Sequence, residues 1–207
     1  MRHRIRIVGT VFVLLAVVFI ASHARAAAED LPSLRLVWID VRGSASFAFP
    51  LAAQEAAAIL SEAGIATMWT LATLSTETTD DELTILLMGE AVEGTRRSHR
   101  IMGCTHRGGR ARATWVYLSS VLWALGFQGR AGRGMLAREQ EEVGRALGRV
   151  VAHEIVHVLA PDLPHTQSGL MAGWLSRPLL VCSRVSLTPR EGQALRAALE
   201  SSRHSRR

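Results

Sequence analysis

The sequence predicts an α+β fold, a single small domain with one sheet, one long helix and a terminal helix. Two observations carry this. Segments with strand and helix character follow one another as strand, helix, three strands, long helix, irregular segment and terminal helix, with no internal repeat or linker between them. The chain has 207 residues, 48% of them hydrophobic, which suits one domain with a full core and excludes a disordered chain.

Each element has a local reason. "LRLVWIDV" (Leu34–Val41) is rich in β-branched and aromatic residues and lies between Pro32 and Gly43, so it reads as a buried strand. "PLAAQEAAAILSEAG" (Pro50–Gly64) reads as a helix, with proline in its first turn and glycine at its end. "IATMWTLATL" (Ile65–Leu74) alternates like a strand, and "DELTILLMGE" (Asp81–Glu90) is short and apolar enough for a central one. Residues 91–112 are rich in glycine and arginine and have no period, which reads as loop. Residues 113–118 read as strand, and the stretch from there to Gly126 is open between a strand end and a short helix. After a glycine-rich loop to Gly134, a helix is expected over Leu136–Leu159. Glu139, Glu141 and Glu142 suit its N-terminal end, Leu147, Val151, Ile155 and Val158 form an apolar stripe, and Pro161 and Pro164 stop it. The last helix opens with a capping box, Thr188 with Glu191 and Pro189 at the first helical position.

Residues 1–26 open with three arginines, Arg2, Arg4 and Arg6, followed by an apolar run from Ile7 to Ala21 and the small-x-small triplet Ala24-Arg25-Ala26. They read as a secretory signal, with an uncleaved membrane anchor as the rival, and leave residues 27–207 as the domain. A secreted or periplasmic location is therefore expected, without membrane association once the signal is cleaved. Removal of that segment takes four arginines and no acid, so the net charge falls from +6 to +2. A charge of that size, spread along the chain, gives no footprint for nucleic acid. Export would place Cys104 and Cys182 in an oxidising compartment, where one disulfide between them is the plain expectation. The sharper alternative is metal ligation by Cys104 with His106.

The chemistry concentrates in "HEIVHVLAPDLPHTQSGLM", His153–Met171. Residues four apart on a helix share a face, so His153 and His157 can meet one zinc ion, and Glu154 stands where it can act as general base on a water activated by that ion. A catalytic zinc needs a third protein ligand. His165 leads, with Asp162 and Glu191 as alternatives. Trp174 either walls a pocket or packs in the core, and Tyr117 is a candidate oxyanion donor.

This stretch resembles the metzincin zinc metallopeptidases, whose signature is HExxHxxGxxH followed by a turn containing methionine. The resemblance implies a small zincin domain with a mixed sheet, an active-site helix and a C-terminal helix. It implies one zinc on His153, His157 and His165, Glu154 as base and Met171 in the turn beneath the site. It also implies an edge strand that aligns an extended peptide, here Thr114–Leu118. The family glycine falls at Ala160, and the third histidine comes twelve residues after the first instead of ten. The helix exit is therefore expected to take another route, through Pro161 and Pro164. The expected function is that of an exported zinc metalloendopeptidase acting on peptides or proteins. A zinc-holding but inactive domain and a structural domain with a chance HExxH are the alternatives.

Overall fold

The computed structural model describes residues 32–89, 101–105, 112–130 and 134–204; the expected leader and His106 lie outside them. Five strands form one mixed sheet: β1 (Ser33–Asp40), β2 (Ala66–Ala72), β3 (Glu82–Met88), β4 (Gly103–Thr105) and β5 (Arg112–Tyr117). Their spatial order is β2-β1-β3-β5-β4. The first four in that order run parallel, and β4 pairs antiparallel with β5, Gly103 opposite Val116 and Thr105 opposite Thr114. As its apolar sequence predicts, β3 is internal.

One sheet face carries the core. Leu36 and Trp38 from β1, Leu83, Ile85 and Leu87 from β3 and Val116 from β5 meet apolar residues of two helices, α1 (Phe49–Glu62) and α3 (Ala137–Leu159). Alternation by two puts Thr84, Leu86 and Met88 on the other face, which is only half buried. The helices approach closely because α3 presents glycine to α1. A Cβ at Gly144 would stand 2.6 Å from Leu51 Cβ, and one at Gly148 2.6 Å from the Ala52 carbonyl oxygen. Arg149 on the same helix is 1% exposed. Its guanidinium donates to Glu55 Oε1, to the Leu179 carbonyl and to the Cys182 carbonyl, each at 2.7 Å.

Two elements depart from expectation, and one open segment is decided. β4 lies inside the stretch read as loop; three residues are too few to show a period, and pairing with β5 makes the strand. Residues 118–125 form a helix, α2, closed by Gly126 at φ 79°. A short helix, α4 (Arg177–Val181), stands in the irregular segment. The final helix, α5 (Pro189–His204), has the capping box: Glu191 Oε2 accepts from Thr188 N–H at 2.7 Å and Thr188 Oγ1 from Glu191 N–H at 3.3 Å. At the start of α3, Leu136 has no cap oxygen to offer, and Glu139 instead accepts from its N–H at 2.9 Å. Among the described residues no helix is long and apolar enough to cross a membrane.

Candidate metal centre

The last turns of α3 carry His153 and His157 on one face, and the chain beyond the helix returns to bring His165 to them. The three Nε2 atoms lie 3.1 Å (His153 to His157), 2.9 Å (His157 to His165) and 3.3 Å (His153 to His165) apart. Four ligands on a zinc at ~2.05 Å would stand about 3.3 Å from one another, so this triangle is close to one face of a coordination tetrahedron. Protons alone cannot satisfy it. Each nitrogen is either a donor or an acceptor, so among three in mutual contact at least two are alike and repel. One shared cation removes the conflict by taking all three lone pairs, and the donor set therefore fits zinc.

The tautomer of His153 is set for that role. Its Nδ1–H donates to the Leu170 carbonyl at 2.7 Å, leaving the Nε2 lone pair directed at the other rings. Burial pushes the His153 pKa below its ordinary value, against the opposing pull of that hydrogen bond, and so favours the neutral, ligating imidazole.

The "SGLM" turn makes this contact. Gly169 takes φ 81°, Ala172 N–H donates to the Gly169 carbonyl at 3.2 Å, and Thr166 N–H donates to the Met171 carbonyl at 2.7 Å. Met171 is wholly buried in the core, while its neighbour Leu170 supplies the carbonyl that His153 uses. The bridge between Thr166 and Ala172 fixes the residue next to His165.

The helix exit differs from the left-handed glycine turn, as Ala160 requires. Ala160 has φ −131°, its N–H still donates to the Val156 carbonyl at 2.8 Å, and Leu163 N–H donates back to the Ala160 carbonyl at 3.0 Å. The exit needs no positive φ at Ala160, Pro161 cannot continue the helix, and the two added residues lengthen the return. Asp162 and Glu191 do not join the group: only the three histidines converge among the described residues, and Glu191 is spent on its own helix cap.

Beside the triad lies a cavity of about 320 Å³, bounded by α3, by β4 and by the chain after the turn, including Trp174 and Leu175. Glu154 faces it and is 6% exposed. Thr105 Oγ1 donates to Glu154 Oε2 at 2.8 Å. Burial pushes the carboxyl pKa up to about 7, against the lowering effect of that hydrogen bond. Gly103 makes the place possible, since a Cβ there would stand 2.6 Å from Glu154 Oε1. Neither Gly103 nor Thr105 is marked by the sequence; "MGCTH" gives no spacing that points to Glu154.

Three expectations are corrected. The strand along the cavity is β4, not Thr114–Leu118, because β5 has a neighbour on each side and its outer neighbour is β4. Cys104 and Cys182 are both free thiols. They serve separate places: Cys104 Sγ lies 3.1 Å from Tyr117 Oη, and Cys182 Sγ accepts from Arg149 at 3.2 Å. Cys104 lines the cavity but stands outside the histidine group. Tyr117 is not among the cavity's lining residues, and burial, with the Cys104 contact, pushes its phenol up and keeps it protonated. Trp174 lines the cavity, 38% exposed, and meets Trp123 edge-on at 6.4 Å.

No protein-family model and no curated protein matches the chain. Among solved structures, the crystal structure of archaemetzincin (amzA) from Methanopyrus kandleri is similar, with a TM-score of 0.57 and 12% identity over 82% of this chain and 97% of that one. At that identity the likeness shows the fold, a small zincin-like domain on a five-stranded mixed sheet.

Proposed function

We propose that this chain is an exported zinc-dependent metalloendopeptidase, with one zinc held by His153, His157 and His165 and with Glu154 as general base. The observation that carries the reading is the convergence of three Nε2 atoms beside a buried carboxylate in an open cavity. Likeness in fold to archaemetzincin supports it. When bound, zinc supplies Lewis acidity toward a carbonyl and lowers the pKa of water toward ~7.

The remaining work falls to side chains and backbone of this chain. Glu154, buried beside the histidine group, accepts the proton of the attacking water and passes it to the leaving amine. Thr105 fixes the orientation of the carboxylate, and the bare Cα of Gly103 gives it room. His153 is held by Leu170 in the tautomer that ligates. The outer edge of β4 offers its backbone groups to an extended peptide laid along the cavity. The residue 1–26 segment, with its basic start and apolar run, supports a secreted or periplasmic location.

One experiment tests the reading: metal analysis with a peptide-library digest, run on wild type and Glu154→Ala. About one zinc per chain in both, with cleavage lost by 10²-fold or more in the mutant, is expected. Equal cleavage by the two proteins overturns the role of Glu154. Zinc without cleavage of any peptide by wild type gives the metal-holding, inactive domain instead.

A further inference from the structure

A second cavity, of about 380 Å³, lies away from the histidines and is lined by Arg42, Ser44, Gly89, Leu118, Leu122 and Trp123, among others. Its place follows from topology. β1 connects through α1 to β2 on one side, while β3 and β5 lie on its other side, so the connections diverge between β1 and β3. In open sheets of parallel strands, ligands bind beyond the carboxyl ends of the strands at such a point. Arg42 and Ser44 follow β1 there, and Gly89 follows β3.

Two polar groups of this cavity, Arg42 and Ser44, have unused capacity among the described residues. Arg130, also in the lining, spends both terminal nitrogens on Glu139, at 2.9 and 2.8 Å. Arg42 has no acidic partner among the described residues. The nearest carboxylate in sequence, Asp40, is engaged by backbone: Oδ2 accepts from Ala45 N–H at 2.7 Å and Oδ1 from Arg42 N–H at 3.3 Å. The Arg42 stem rests over Gly89, where an added Cβ would come within 3.1 Å of Cδ. Ser44 Oγ is buried and has no hydrogen-bond partner among the described residues. Buried hydroxyls are seldom left so, and the guanidinium of the exposed Arg42 is suited to a planar anion. Leu118, Leu122 and Trp123 make the rest of the wall apolar.

We propose that this cavity is a second binding site, which takes a carboxylate carried on an apolar group. The Arg42 guanidinium and Ser44 hydroxyl hold the carboxylate, and Leu118, Leu122 and Trp123 hold the apolar part. Such a group is found both at the end of a peptide and in a free small acid. The first source rests on the peptidase reading and has a structural route, because Trp123 of this cavity touches Trp174 of the metal cavity. The binding itself does not depend on that reading.

The test titrates the full-length protein with N-acetylphenylalanine and with its amide, using wild type, Arg42→Gln and Ser44→Ala. The acid should bind about tenfold more tightly than the amide to wild type, as a charge-assisted pair requires. That preference should vanish in Arg42→Gln and shrink in Ser44→Ala, with zinc content unchanged in both. Equal affinity for acid and amide in wild type, or a preference that survives Arg42→Gln, overturns the proposal. On a peptide that wild type cleaves, a KM raised by C-terminal amidation in wild type but not in Arg42→Gln assigns the site to the substrate. Acid binding with no such KM effect assigns it to a free small acid. If no peptide is cleaved, the peptidase reading fails alone and the titration still decides this one.

Discussion

Glu154 is held where its own charge is disfavoured. Its carboxyl has a pKa of about 7 against an ordinary 4.5, because burial removes water that would solvate the anion. The folded state therefore binds more protons than the unfolded state between those values, and ionisation costs stability as pH rises through them. In the metal-free protein, Glu154→Gln should be more stable than wild type at pH 8, by roughly 3 kcal/mol, and the gap should close below about pH 4.5. Urea unfolding of the two proteins at both pH values checks this; equal stability at pH 8 contradicts the burial argument. His165 is the opposite case, an exposed side chain that the metal-free fold can spare. His165→Ala should leave metal-free stability within about 0.5 kcal/mol of wild type, as surface changes do, while weakening zinc retention in dialysis against a chelator. At this scale the sequence was legible where spacing encodes geometry, as in His153, Glu154 and His157. It was silent on Gly103 and Thr105, which are about fifty residues from Glu154 in sequence and meet it only through the fold.

Among the elements, α3 joins the core to the metal centre, and its contact with α1 depends on two glycines. Gly148→Ala sets two effects against each other: a gain of about 1 kcal/mol in helix propensity and an overpacking cost of about 1–3 kcal/mol. The added Cβ would meet the Ala52 carbonyl at 2.6 Å, a backbone atom that no rotamer change can move aside. The cost should dominate, giving net destabilisation of up to about 2 kcal/mol by thermal or urea unfolding. Arg149→Met should cost more, roughly 3 kcal/mol, because it strands Glu55, a carboxyl only 22% exposed, and two carbonyls that now accept from the guanidinium. A loss within about 0.5 kcal/mol, the ordinary scale of surface changes, would show the buried arginine to be dispensable. The bounds of α3 were readable from its acidic start and the prolines beyond it. Arg149 was not, since an arginine between apolar positions of a helix ordinarily reaches water, and only the return of Leu179 and Cys182 over it closes it off.

For the whole molecule, metal and fold should be coupled. If zinc binds the folded chain alone, a hundredfold excess over its Kd adds about 2.7 kcal/mol, a rise in Tm of about 5–10 °C, and His153→Ala should abolish the rise. The same melts, repeated with and without reductant, should not differ, because Cys104 and Cys182 are both free thiols. By itself the sequence determined the longer elements, the helix that carries the two histidines and the fold class, because these rest on local periodicity, caps and fixed spacing; the short β4 and α4 it did not. Three matters were decided by tertiary structure: which strand forms the edge of the cavity, which side chain completes the histidine group, and what each cysteine touches. Each depends on segments far apart in the chain meeting in one place. β4 has too few residues to announce itself, yet pairing with β5 sets it against Glu154, and the turn at Gly169 brings Leu170 and His165 to His153.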